Sequence, residues 1–184
     1  MKKVKSKVIT EESLRKSGLW YLEKYAASVH SLRQVLNRRA LNAIFLEDLD
    51  KDTCNHWIDR IIERFIKAGL LNDSEFAQAR ATSLFKKGTS TQMIRSKLFD
   101  KGISGAIIDQ VVAELHEDWN NPDLKAAIRF SQRKRLGPFR QLHTRSEFSQ
   151  RDLATLGRAG FSYEVAQKII NALSLQELEK DDGY

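Results

Sequence analysis

Between residues 125 and 151 the chain carries Lys125, Arg129, Arg133, Lys134, Arg135, Arg140, Arg145 and Arg151, interrupted by a single acid, Glu147. A second cationic group is Lys86, Lys87, Arg95, Lys97 and Lys101, in which the four-residue spacing of Lys97 and Lys101 predicts a shared helix face. Such groups suit phosphates or the acidic surface of a protein, because weak attractions sum over many contacts. Lys and Arg also keep ordinary helix faces soluble, so any one cation says less than the group does. The candidate binding surface is therefore Lys86, Lys87, Arg95, Lys97, Lys101, Arg129, Arg133, Lys134, Arg135 and Arg140.

Other chemistry is weaker. Asp48, Asp50, Asp52 and Asp59 approach the ligand spacing of a calcium loop, but Thr53 stands where the sharp turn needs glycine. An acid or Thr53 capping a helix from about Asn55 to Ala68 explains the segment better. Cys54 and His56 have no second pair to complete a zinc site, and His30, His116 and His143 are scattered. No nucleophile elbow, phosphate loop or paired acidic motif is present, so neither an enzyme nor a cofactor is expected. Gly102-Ile103-Ser104-Gly105 and Gly157-Arg158-Ala159-Gly160 spell the G-x-x-G of a nucleic-acid clamp, but the strands of that fold are missing. Trp20, Trp57 and Trp119 fall on apolar helical faces and are expected in the core or at contacts between repeats, not as base-stacking platforms.

The elements that must position these groups are helices. The 184 residues include only two prolines, Pro122 and Pro138, and are rich in Leu, Ala, Lys, Arg, Glu and Gln. Apolar residues reach 41% and charged residues 30%, enough of the first to fold and too much of the second for a membrane protein. No apolar run approaches the roughly 20 residues of a bilayer span, and the start lacks a signal peptide's apolar stretch. A cytoplasmic protein is expected, which the lone Cys54 also suits. The net charge of +7 favours polyanions as partners.

Internal similarity organises the chain. Leu98, Gly102, Ile103, Ser104, Val111, Val112 and Leu115 recur at a constant offset of 58 as Leu156, Gly160, Phe161, Ser162, Ile169, Ile170 and Leu173. Each copy predicts a helix ended by a left-handed glycine, a serine cap and a second helix. An earlier copy at offset 62 aligns Ser28, Leu32, Arg33, Leu36 and Arg39 with Ser90, Ile94, Arg95, Leu98 and Lys101. Another helix precedes each pair, one from Asp73 to Lys87 with Phe76, Ala79 or Arg80, Leu84 and Phe85 at helical spacing and Asn72-Asp73-Ser74 as cap. The corresponding helix of the third copy starts at Asn121-Pro122-Asp123 and ends at Gly137-Pro138, followed by a surface loop from Pro138 to Ser149.

An all-α array of three tandem three-helix repeats, elongated and curved, is expected: a basic extension (1–12), repeats at 13–70, 71–118 and 119–175, and an acidic tail (176–184).

The stretch Gly69-Leu70-Leu71-Asn72-Asp73-Ser74-Glu75-Phe76-Ala77, continuing through Lys86-Lys87-Gly88, Ile94 to Leu98 and Lys101 to Ser104, resembles the central block of the RecX family. Similarity extends to Ser28, Leu32, Arg33 and Leu36, and to Arg133 through Gly137 followed by Leu156, Gly160, Phe161 and Ser162, roughly residues 15 to 175 in all. The resemblance implies binding to the RecA filament and inhibition of its ATP hydrolysis, strand exchange and co-protease activities, by a monomer with weak, non-specific affinity for single- or double-stranded DNA. The chain departs from the family pattern in its acidic connection, Glu47 to Asp52, and its Lys-rich start. A direct DNA-binding helix-turn-helix regulator is the alternative, and Ser104 to Leu115 is poor in base-reading side chains, offering only Gln110 and acids.

Overall fold

A computed structural model describes residues 9–47 and 49–180, without the side chains of 42, 43, 45–47, 179 and 180. Expectations for most of the basic extension, for Asp48 and for the end of the acidic tail fall outside these residues. The described chain is all-α: α1 (Glu11–Lys24), α2 (Val29–Glu47), α3 (Lys51–Lys67), α4 (Asp73–Lys86), α5 (Thr91–Phe99), α6 (Gly105–Asp118), α7 (Pro122–Lys134), α8 (Arg145–Arg158), α9 (Tyr163–Asn171) and α10 (Leu175–Lys180). Three groups of three helices precede α10, the helical-repeat organisation that the internal similarity requires.

Helix starts follow the polar residues picked out by the sequence. Asp50 caps α3, Asn72 accepts the Ser74 and Glu75 amides of α4, and Ser104 and Ser162 cap α6 and α9. Gly102 and Gly160 take the left-handed conformation, φ 72° and 85°, that ends the helix before each serine.

Two compact units form. Among the described residues, one comprises those up to Phe76 with Lys101–Ile103; the other comprises Ala77–Asp100 with those from Ser104 onward. In the first, Leu14, Leu32, Leu36, Cys54, Ile58, Ile61, Phe65 and Leu71 form a buried cluster against which Trp57 packs. In the second, Ile94, Leu98, Leu124, Leu156 and Ile169 are wholly buried, the alternating large apolar positions of the repeat.

One polar joint occurs in both units. In the first, Ser28 Oγ donates to the Lys101 carbonyl at 2.6 Å, and Asp73 accepts the Val29 amide at 2.9 Å. In the second, Ser90 Oγ donates to the Ala159 carbonyl at 2.7 Å, and Asp123 accepts the Thr91 amide at 2.8 Å. Both serines are fully buried, so each hydroxyl must find a partner in the protein. Each aspartate lies in the first turn of its own helix and binds the first amide of another, so a single carboxylate meets two positive helix ends.

Several expectations are corrected. The segment Pro138 to Ser149 is not one loop: two 3-10 turns, Gly137–Phe139 and Leu142–Thr144, lead into α8 at Arg145. The Arg145 guanidinium gathers the carbonyls of Pro138, Arg140 and Leu173, satisfying backbone that a free loop would leave to water. Lys97 and Lys101 do not share a helix face, because α5 ends at Phe99 and Lys101 lies in the following turn. Trp20 is 49% exposed on α1, and Leu173, which lies in the bend between α9 and α10 and not on a helix like Leu115, is 78% exposed. In α4 the buried alanines are Ala77 and Ala81, one helical step from the exposed Ala79 and Arg80.

Candidate binding surface

Parts of the two cationic groups meet in the second unit. Gly88, at φ 73°, ends α4 so close to α7 that an added Cβ would lie 2.8 Å from both the Ala126 carbonyl oxygen and the Phe130 nitrogen. Across this approach Arg129 donates to the Phe85 carbonyl at 3.4 Å and Arg133 to the Lys87 carbonyl. Two guanidinium groups thus bind carbonyls at the negative end of α4, a favourable placement for cations. Arg129 also lies over the Phe85 ring, and Phe85 packs on Trp119 with centroids 5.6 Å apart.

The consequence is a division of labour within the basic run. Arg129 and Arg133 hold α7 against the end of α4, while Lys86, Lys87, Lys134 and Arg135 are exposed beside that joint. Lys134 is the last residue of α7, and Arg135 follows in the left-handed conformation at φ 55°, the single positive-φ non-glycine among the described residues. Four outward cations from two sequence regions therefore share one corner.

Arg140 has a different environment. Asp152 is 2% exposed and accepts from Arg140 Nε at 3.0 Å, Arg140 Nη2 at 2.7 Å and the Gly137 amide at 3.1 Å. The bidentate pair raises the already high pKa of Arg140, chiefly through the hydrogen bonds to Asp152. Its guanidinium charge is largely answered inside the protein, and Phe148 lies 4.5 Å beneath it.

Arg95 is ion-paired with Asp109, whereas Lys97 is exposed on α5. Lys101 belongs to the first unit, where its carbonyl accepts from Ser28 and its side chain is exposed. The structure thus brings together Lys86, Lys87, Arg129, Arg133, Lys134 and Arg135, and leaves Arg95 and Arg140 paired with acids elsewhere.

The other candidate chemistry separates. Cys54 is buried and His56 exposed, and burial pushes the Cys54 thiol above its ordinary range. Asp50 accepts the Thr53 amide at 2.9 Å and the Thr53 hydroxyl at 2.8 Å, and these bonds lower its carboxyl below the usual value. Among the described residues no three His, Cys, Asp or Glu side chains gather as a metal site. No helix among them is long and apolar enough to cross a membrane.

Sequence reasoning identified the cations but missed the joints formed by Asp73 and Asp123. The available signal was Asn-Asp and Asn-Pro-Asp at corresponding helix starts, which reads as capping until the second helix is seen.

The fold defines the class, an all-α protein built of three-helix repeats. Comparison then places it more narrowly. A family description, RecX second three-helix domain, matches residues 72–112. The chain is 38% identical over 160 residues to a protein of Myxococcus xanthus named Regulatory protein RecX, covering 86% of this chain and 84% of that one. A protein of the same name from Agrobacterium fabrum is 23% identical over 165 residues, 90% of this chain and 85% of its own length. This chain belongs to the RecX family of regulatory proteins. No solved structure matches it with comparable significance.

Proposed function

We propose that this protein, as a cytoplasmic monomer without enzymatic activity or cofactor, binds RecA filaments on DNA and inhibits their ATP hydrolysis, strand exchange and co-protease activity. It would thereby restrain recombination and the SOS response to DNA damage. The observation that carries the reading is the corner of Lys86, Lys87, Lys134 and Arg135, in a chain of the RecX family. A filament presents the same acidic and phosphate surfaces at every protomer, and repeats spanning 13–70, 71–118 and 119–175 provide several contacts whose avidity exceeds that of any one. Inhibition then follows from occupying adjacent protomers, which blocks access of a second DNA or the motion that accompanies ATP turnover.

The deciding experiment measures DNA-dependent ATP hydrolysis by RecA with substoichiometric amounts of this protein, beside binding to bare DNA at the same salt. Inhibition where bare DNA is scarcely bound supports a filament-directed regulator. Reversing Lys134 and Arg135 to glutamate should weaken inhibition without changing helical content, since both side chains are exposed. Tight, salt-sensitive DNA binding without inhibition would instead establish a DNA-binding protein. The helix α6, with Asp109, Gln110, Glu117 and Asp118 on its outside, offers such a protein little for reading bases.

A further inference from the structure

We propose that the cleft between α2 and α3 is the seat of the chain's own basic amino-terminal segment, Met1 to Val8, with Val4 in the cleft and the lysines over the acidic connection. The cleft belongs to the first compact unit and uses none of the cations assigned to filament binding. Its volume is about 250 Å³, with Ala40, Leu41 and Ile44 on one wall and Cys54 on the other. Ala40 and Cys54 are 2% and 1% exposed, whereas Leu41 is 48% exposed, so a buried apolar floor has an apolar lip facing water. The α2 wall exists because this helix outruns its counterpart. The offset of 62 would end it at Asn37, as α5 ends at Phe99, yet it continues to Glu47, and Ala40, Leu41 and Ile44 all lie in the added length.

Charge names the occupant. The connection from Glu47 to Asp52 carries four acids against one cation, Lys51, which also lines the cleft. Met1 to Val8 carries Lys2, Lys3, Lys5 and Lys7 and no acid, and Val4 lies between two of these lysines. The acidic connection and the Lys-rich start are the chain's two departures from the family pattern, and their charges are opposite, so each attracts the other. An aliphatic side chain flanked by cations suits an apolar cleft beside acids.

The segment also starts at the right end of the bundle. A Cβ on Gly18 would lie 2.8 Å from the Phe65 ring and 3.7 Å from Leu36, so α1, α2 and α3 meet at that level. Glu11 is ion-paired with Arg60 and Ser17 accepts from Arg39, so α3 runs with α1 and α2 runs against it. At about 1.5 Å per residue, the start of α1 lies about 10 Å from that level, Ile44 about 12 Å and Cys54 about 16 Å, all toward the same end. Ile9 packs against the same buried cluster as Ile44 and Leu49. The chain from Ile9 to Val4 reaches at most about 17 Å, enough to pass the acidic connection and enter the cleft. Seated there, the segment ties down the end of the α2–α3 pair and withholds its lysines from outside polyanions.

The test uses the full chain, in which Cys54 is the single cysteine, with Val4→Cys and, for comparison, Ser6→Cys, each oxidised by oxidised glutathione. Val4→Cys should close an intrachain disulfide to Cys54 about 10-fold faster than Ser6→Cys, the advantage of one side chain of valine size held in an apolar site. Salt at about 1 M should narrow the difference by screening the lysines from the acids. In the parent protein, methyl NOEs should join Val4 to Leu41 and Ile44, without recourse to any thiol. Equal closure rates at the two positions, or absence of these NOEs, overturn the proposal. So do NOEs that appear only between chains in a mixture of differently labelled copies, because the cleft would then hold the segment of a second copy. Neither readout involves RecA, so this seat and the filament reading stand or fall separately.

Discussion

Thr91 and Asp123 are joined twice, the Thr91 amide to Asp123 Oδ1 at 2.8 Å and the Thr91 hydroxyl to Asp123 Oδ2 at 2.7 Å. The corresponding pair in the first unit, Val29 and Asp73, can make only the amide bond, because valine has no hydroxyl. Thr91→Val should therefore convert one joint into the other and cost about 1 kcal/mol. Asp123→Ala removes both acceptors and leaves the amide at the start of α5 without its carboxylate, so a larger loss, about 2 kcal/mol or more, is expected. Urea denaturation of the two variants checks the order; equal midpoints would mean the hydroxyl bond contributes nothing.

The same joints make two glycines irreplaceable. A Cβ at Gly102 would lie 2.3 Å from the His30 Cβ, and one at Gly160 would lie 2.6 Å from the Ser90 hydroxyl oxygen, each at positive φ. Left-handed strain adds about 1 kcal/mol to each overlap. Gly102→Ala and Gly160→Ala should both lower the melting temperature, whereas Gly105→Ala, with open space at its Cβ, should not. Comparable melting of all three variants would contradict the close approach.

Arg140 illustrates how a cation legible in the sequence can serve the fold. Breaking a buried ion pair by removing one partner costs about 3–5 kcal/mol, and the partial exposure of Arg140 puts Arg140→Ala toward or below the lower end. Asp152→Ala also strips the Gly137 amide of its acceptor. Both variants should unfold at lower urea concentration than the Lys134→Ala protein. If Arg140→Ala retained parental stability, its charge would be available to a partner after all.

The pH dependence of the α3 cap has a definite sign. The Thr53 amide and hydroxyl hold the Asp50 pKa below its unfolded value, so its contribution is full above the ordinary carboxylate range and is lost as pH falls through the lowered folded value. Asp50→Ala should be less stable than the parent near neutrality, and the gap should close in acid. Urea midpoints from pH 7 to about 3 test this. A gap independent of pH would mean that the ionised carboxylate is not what stabilises the cap.

The repeats and their turns were legible because glycine and serine at fixed offsets impose a backbone conformation wherever they fall, as at Gly102-Ile103-Ser104 and Gly160-Phe161-Ser162. The basic groups were legible as composition. What composition could not convey was partnership: Arg133 and Lys134 are neighbours in sequence, yet one binds the Lys87 carbonyl and the other faces solvent. Nor could local pattern place Trp20. Its position on an apolar-looking helix face suggested burial, and only the packing of α2 and α3 against the opposite side of α1 decides that half of it stays exposed.

Arg135 separates stability from binding most cleanly. It occupies the left-handed position that ends α7, where glycine is the favoured residue and a side chain costs about 1 kcal/mol. The side chain is exposed, so burial offsets little of that cost. Arg135→Gly should therefore stabilise the protein by up to about 1 kcal/mol, while removing one cation from the corner formed with Lys86, Lys87 and Lys134. A protein that melts higher yet inhibits RecA less would show that the strained arginine serves the binding surface. Unchanged inhibition in the stabilised variant would remove Arg135 from that surface, and a lower melting temperature would contradict the left-handed conformation itself.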